Sequence, residues 1–190
     1  MRKGVKRNKY KLCSYPFDWI FSNCDIVIDC IEDDFKIFLD KSYYINVSQS
    51  QCGHSKYGNC MFNHHNPLIN IEDYNYYVRC VNRFKDLLQK QEHKLFIAFA
   101  NVSINDNHKN RVIDFNNKFS KYTSNYTMLI IFNTPNKQQN NHTFTYDNNI
   151  HFLELHTLSN SNGLKFDNNN DNIYLDNILK SKYKFNIKNK

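Results

Sequence analysis

Arg79 and Arg83 stand four residues apart in a chain whose 25 basic residues include only five arginines, at 2, 7, 79, 83 and 111. On a helix that spacing puts both side chains on one face. Two planar guanidinium forks there could grip a carboxylate or phosphate, or could serve structural ion pairs to Asp18 or to the acids of 25–34. Asp18 sits in Cys13-Ser14-Tyr15-Pro16-Phe17-Asp18-Trp19, where Pro16 fixes its own φ and extends Tyr15. The residues allow two roles for Asp18: capping a short helical turn, or orienting another group at the rim of a site. Trp19, the single tryptophan, is expected to be a buried core anchor. Thiols and imidazoles are plentiful, with six Cys and eight His. Cys52 and Cys60 with His54, His64 and His65 could bind zinc, but their spacing matches no standard finger and no metal is expected. No glycine-rich phosphate loop and no serine nucleophile elbow occurs, and no cofactor is expected.

These groups must be positioned by elements readable from periodicity. Residues 24–40 have apolar positions at helical spacing through Val27, Cys30, Ile31, Phe35, Phe38 and Leu39. A polar loop is expected over 41–56 and a short strand over 57–63, stopped by Pro67. Residues 72–90 give the strongest helix, its stripe being Tyr77, Cys80, Val81, Phe84, Leu87 and Leu88. Continuous apolar runs at 94–100 and 126–133, with a helix over 110–123 between them and a third strand at 150–156, form the pattern of a parallel crossover unit. Residues 134–147 and 159–170 read as loops and 171–183 as a last helix. The expectation is an α/β fold, a three-layer sandwich with a mostly parallel sheet and helices on both faces. It comprises a basic, poorly ordered segment over 1–12, one domain over 13–185 and a tail over 186–190.

A hydrophobic fraction of 41% and an aromatic fraction of 15% argue against wholesale disorder. The net charge of +7 comes from scattered lysines, apart from the cluster in residues 1–11, so no nucleic-acid partner is expected. No apolar run approaches transmembrane length. Irregular cysteine spacing and the lack of a signal-peptide pattern point to six free thiols in a reducing compartment.

Ser14 to Ser22, Val27 to Phe35, Tyr57-Gly58, Phe62-Asn63-His64-His65-Asn66, Tyr77 to Phe84 and Lys94-Leu95-Phe96-Ile97 together resemble a family named papain-like cysteine peptidases. The resemblance fades through Gly163-Leu164-Lys165-Phe166 and Asp171-Asn172-Ile173-Tyr174-Leu175. Members occur in bacteria and in large DNA viruses of the mimivirus type. The resemblance implies a thiol hydrolase acting on a protein or peptide, viral and cytoplasmic, in the host cytoplasm or virus factory. It implies His64 as base, Cys13 as the candidate nucleophile nearest the motif, and Asp18 as the orienting carboxylate. In the family the nucleophile lies upstream of Pro-Phe-Asp-Trp, after a glycine-containing strand. Residues 1–12 contain no Cys, and His65 falls where many relatives carry Asp. A truncated or catalytically degenerate relative is therefore expected. Two alternatives stay open: a non-catalytic binding domain with the family's fold, and a sugar- or nucleotide-handling enzyme using the Arg pair. A papain fold pairs a helical lobe with an antiparallel barrel-like lobe. The fold expected here instead follows the periodicity.

Overall fold

A computed structural model describes residues 13–136, 138–163 and 165–184. The basic segment over 1–12 and the tail over 186–190 lie outside the described residues. The chain is mixed α/β with two sheets, and it divides into two compact units. One comprises Cys13–Glu92 and Asn110–Asn125; the other includes His93–Lys109 and Tyr126–Lys190.

The first unit begins with a 3-10 turn at Pro16–Asp18, entered through an extended Tyr15 (φ −114, ψ 165). Helix α1 (Cys24–Glu32) is capped by Asn23, whose side chain accepts from the Ile26 N–H. The expected single helix over 24–40 breaks at Asp34 and Phe35, both at positive φ (58 and 61), and resumes as the single turn α2 (Lys36–Leu39). The left-handed pair sends Phe35, 1% exposed, into the core. There Phe17, Phe35, Phe38 and Phe84 meet edge to face or tilted, with ring centroids 5.5–6.4 Å apart. A helix continued through 34 would carry Phe35 elsewhere, so burial of one aromatic outweighs local propensity.

A small antiparallel sheet follows: β1 (Tyr44–Ser48), β2 (Gln51–His54) and β3 (Gly58–Phe62), in the order β1-β2-β3. It corrects the expected mostly parallel sheet here and the expected loop over 41–56. All of β1 except Tyr44 is exposed, Ile45 and Val47 included, and its Ile-Asn-Val-Ser alternation is too short to stand out in the sequence. Gly53 lets the strands approach: a Cβ there would stand 2.9 Å from the Asn59 backbone. Helix α3 (Ile71–Gln89) is capped by Asn70 and buries Tyr77, Cys80, Val81, Phe84 and Leu88, close to the expected stripe.

In the second unit the sheet order is β4-β5-β7-β6, with β4 (Lys94–Ala100), β5 (Tyr126–Pro135) and β7 (Ile150–Thr157) parallel. The loop expected over 134–147 instead holds the end of β5 and an antiparallel edge strand, β6 (Asn141–Asp147), paired to β7 in register Phe144↔Leu153. Exposed Thr and Asn hide β6 from a hydrophobicity reading. Helix α4 (Asp106–Phe119) connects β4 to β5 in the chain. Helix α5 (Asn169–Lys182) packs Leu175 and Ile178 against Leu129, Ile131, Leu153 and Leu155. No helix among the described residues is long and apolar enough to cross a membrane.

Candidate functional site

The site lies within the first unit, along one side of α3. Asp73, Tyr76, Cys80 and Arg83 follow one another at three- or four-residue spacing, so their side chains line one face. At the N-terminal end, the loop after β3 is fixed by Asn66, which is fully buried. Its Nδ2 donates to the Ser48 carbonyl at 2.6 Å and the Gln51 carbonyl at 3.2 Å, and its Oδ1 accepts from the N–H groups of Leu68 and Ile69. The Asn66 N–H donates to Asp73 Oδ2 at 2.8 Å. The other oxygen of Asp73 stands 2.8 Å from His65 Nδ1. The His65 ring stacks on Tyr76 at 4.7 Å and meets Tyr77 edge-on at 5.7 Å. In a neutral ring, a carboxylate at Nδ1 keeps the proton on that nitrogen and leaves Nε2 as the acceptor. A carboxylate-held imidazole of this kind can act as a base or orient a ligand.

His64 points elsewhere. It is exposed, and its ring meets Trp19 edge-on at 5.3 Å. No hydrogen bond or ion pair of His64 is present among the described residues. Trp19 is partly buried, while Pro16 and Phe35 are buried. The reason is local: Phe17, not Trp19, faces the aromatic cluster. Asp18 is exposed and accepts the Tyr15 N–H at 3.2 Å, closing its own turn.

At the C-terminal end of the strip, Arg83 Nη2 donates to Cys80 Sγ at 3.2 Å. Tyr15 lies beside it, edge-on to Phe84 at 6.4 Å. Cys13, half-exposed, lies near the Tyr15 phenol and is close enough to Arg83 to feel its charge, as is Tyr76. Burial pushes the Tyr15 phenol up to about 12, with the neighbouring Cys13 adding to it, so the phenol stays protonated at neutral pH. Arg79 is exposed and, unlike Arg83, takes no part in this cluster. Neither arginine makes an ion pair among the described residues. The acids of 25–34 are taken by others: Lys56 pairs with Asp29, Lys85 with Asp34 and Arg111 with Asp25.

The six cysteines are all free thiols. Burial pushes the Cys24 and Cys52 thiols up, and takes Cys30 to about 12, so these three are poor nucleophiles at neutral pH. His54 is fully buried between Tyr43 and Tyr57, with ring centroids 5.5 and 4.4 Å away, and works as a structural group. Among the described residues no three His, Cys, Asp or Glu side chains are grouped as metal ligands. Two shallow clefts of about 150 and 220 Å³, one around Arg111 and Cys24, the other around Lys85 and Ile31, include none of the expected site residues.

The fold therefore brings Cys13 to Arg83 and Tyr15, His64 to Trp19, and Asp18 to its own turn. Sequence reasoning missed His65, Asp73, Tyr15 and Tyr76. The signal for Asp73 was present, since it sits three residues after the capping Asn70 and in phase with Tyr76, Cys80 and Arg83. No family model, curated protein or solved structure matches this chain.

Proposed function

We propose that this chain is a non-catalytic relative of the papain-like cysteine peptidases, a cytoplasmic binding domain whose ligand meets the α3 strip of His65–Asp73, Tyr76 and Arg83 beside Cys13 and Tyr15. The observation that supports the reading is that no hydrogen bond joins Cys13, His64 and Asp18 to one another among the described residues. The Asp18 carboxylate accepts the Tyr15 N–H in the Pro16 turn, and the His64 ring leans on Trp19. The Cys13 thiol lies near Tyr15 and Arg83. A thiol hydrolase needs an imidazole at its thiol, and no hydrogen bond joins Cys13 to an imidazole among the described residues. For the second unit the reading keeps a sheet covered on both faces. Helix α5 lies on the Leu129 and Leu153 side, and His108 of α4 stacks on Phe132, which points to the other side.

One observation favours a second reading. His65 is oriented by a carboxylate as a catalytic base would be, which supports a hydrolase with His65 in place of His64. Digestion of a mixed peptide library, read by mass spectrometry across pH, separates the two. The non-catalytic reading expects no cleavage beyond the buffer blank. Cleavage that disappears in both Cys13→Ala and His65→Ala would establish the hydrolase.

A further inference from the structure

Lys56, Lys85 and Arg111 each hold a carboxylate, at 2.7, 2.6 and 2.6 Å. Arg79 has none, but it is exposed and water solvates it. Arg83 differs from all of these. Its Nε is sealed from water with no acceptor, and its Nη2 donates to a thiol, among the weakest acceptors a protein offers. A guanidinium in that position costs free energy unless an anion meets it. Nη1 makes no hydrogen bond among the described residues and is not on the sealed side. Around it stand the Tyr15 phenol, held protonated by burial, the Cys13 thiol and Tyr76. His65 brings its own carboxylate, and the Asp18 carboxylate is engaged by the Tyr15 N–H, so among the described residues no carboxylate pairs with Arg83.

We infer that Arg83 anchors an oxyanion-binding site, taking the carboxylate or phosphate group of a ligand at its open Nη1 edge. The inference rests on the α3 strip being a ligand-binding face. It also assigns Arg83 alone, without Arg79, because only Arg83 is half-buried. A planar fork accepts either oxyanion side-on, so the chemistry is shared between a carboxylate and a phosphoryl ligand.

The test uses the whole chain and two probes, inorganic phosphate and acetate, each against chloride at matched ionic strength. Alkylation of Cys13 by neutral iodoacetamide is followed by mass spectrometry, and the Arg83 Nε–H signal by NMR. The site predicts a saturable slowing of Cys13 alkylation, about threefold or more at saturation, and a saturable shift of the Nε–H signal. Arg83→Lys, which keeps the charge and loses the fork, abolishes the slowing, while Arg79→Lys leaves it intact. The probe with the lower half-saturation concentration identifies the ligand's group. Slowing that merely follows ionic strength, or that persists in Arg83→Lys, overturns the inference, as does an unmoved Nε–H signal. Failure of the non-catalytic reading would look different: rapid Cys13 alkylation without any anion, lost in His65→Ala.

Discussion

His65 Nδ1 lies 2.8 Å from Asp73 Oδ1, and the second oxygen of the same carboxylate accepts the Asn66 N–H at 2.8 Å. One side chain in the first turn of α3 thus clamps two consecutive residues of the loop after β3, and its charge meets the positive end of the helix dipole. Asp73→Ala is expected to destabilise the protein by about 1–3 kcal/mol, and Asp73→Asn by less, since the amide keeps one acceptor. Urea unfolding of the two variants checks this. Equal losses, or none, would mean that the carboxylate does not fix the loop.

His54 gives the protein a pH dependence whose sign follows from its bonds. Its Nδ1 accepts from the N–H groups of Lys56 and Tyr57, and Nε2 donates to the Ile37 carbonyl, so the ring is neutral in the fold. Burial lowers its pKa; Lys56 acts the same way, while the Ile37 carbonyl and Asp40 oppose. The unfolded chain takes up the proton first, near the ordinary value of about 6.5. The stabilisation is therefore complete above that pH and is lost as pH falls through the lower folded value. His151 in the second unit, also depressed by burial, adds the same sign. Melting temperature should fall between neutral pH and pH 5, with a shallower slope in His54→Gln. An unchanged slope in that variant would contradict the assignment.

The turn between β6 and β7 is two residues long, and Asn148 adopts φ 51 there. Valine at 148 should cost about 1–2 kcal/mol, because a β-branched side chain resists the left-handed region. Glycine should be neutral or stabilising. Thermal melts of Asn148→Val and Asn148→Gly give the order, and Val at or above Gly would contradict it.

The aromatic cluster sets a ranking of core losses. Phe35, 1% exposed, touches Phe17, Phe38 and Phe84. Phe35→Ala should cost about 3–5 kcal/mol, and Trp19→Ala less, because Trp19 is only half-buried. Native tryptophan fluorescence should be partly accessible to a neutral quencher. A fully shielded indole would reverse the ranking.

The sequence reading found helix α3, strands β4, β5 and β7 and the last helix, because their apolar periods are strong and long. It lost β1, β2 and β6, which are short or mostly polar: β1 and β6 face solvent along most of their length, and β2 is only Gln-Cys-Gly-His, largely buried without an aliphatic side chain. The break at Asp34–Phe35 was invisible because tertiary packing of Phe35 imposes it against helical periodicity. At the site, the spacing pairs Arg79 and Arg83 on one helix face; in the fold Arg79 is exposed and Arg83 half-buried against Cys80. Which of His64 and His65 is held could not be read from the sequence, because adjacent residues leave a loop in different directions and the hold on His65 comes from Asp73, eight residues on.

The proposal turns on Cys13, near Tyr15 and Arg83 and with no imidazole hydrogen-bonded to it among the described residues, not being a catalytic nucleophile. Labelling by a cysteine-directed electrophile across pH, in the native chain and in Cys13→Ala, His64→Ala and His65→Ala, tests it most directly. The account predicts labelling of Cys13 that is slow at pH 6 and the same in both histidine variants. Rapid labelling of Cys13 at pH 6 that either histidine variant abolishes would contradict it.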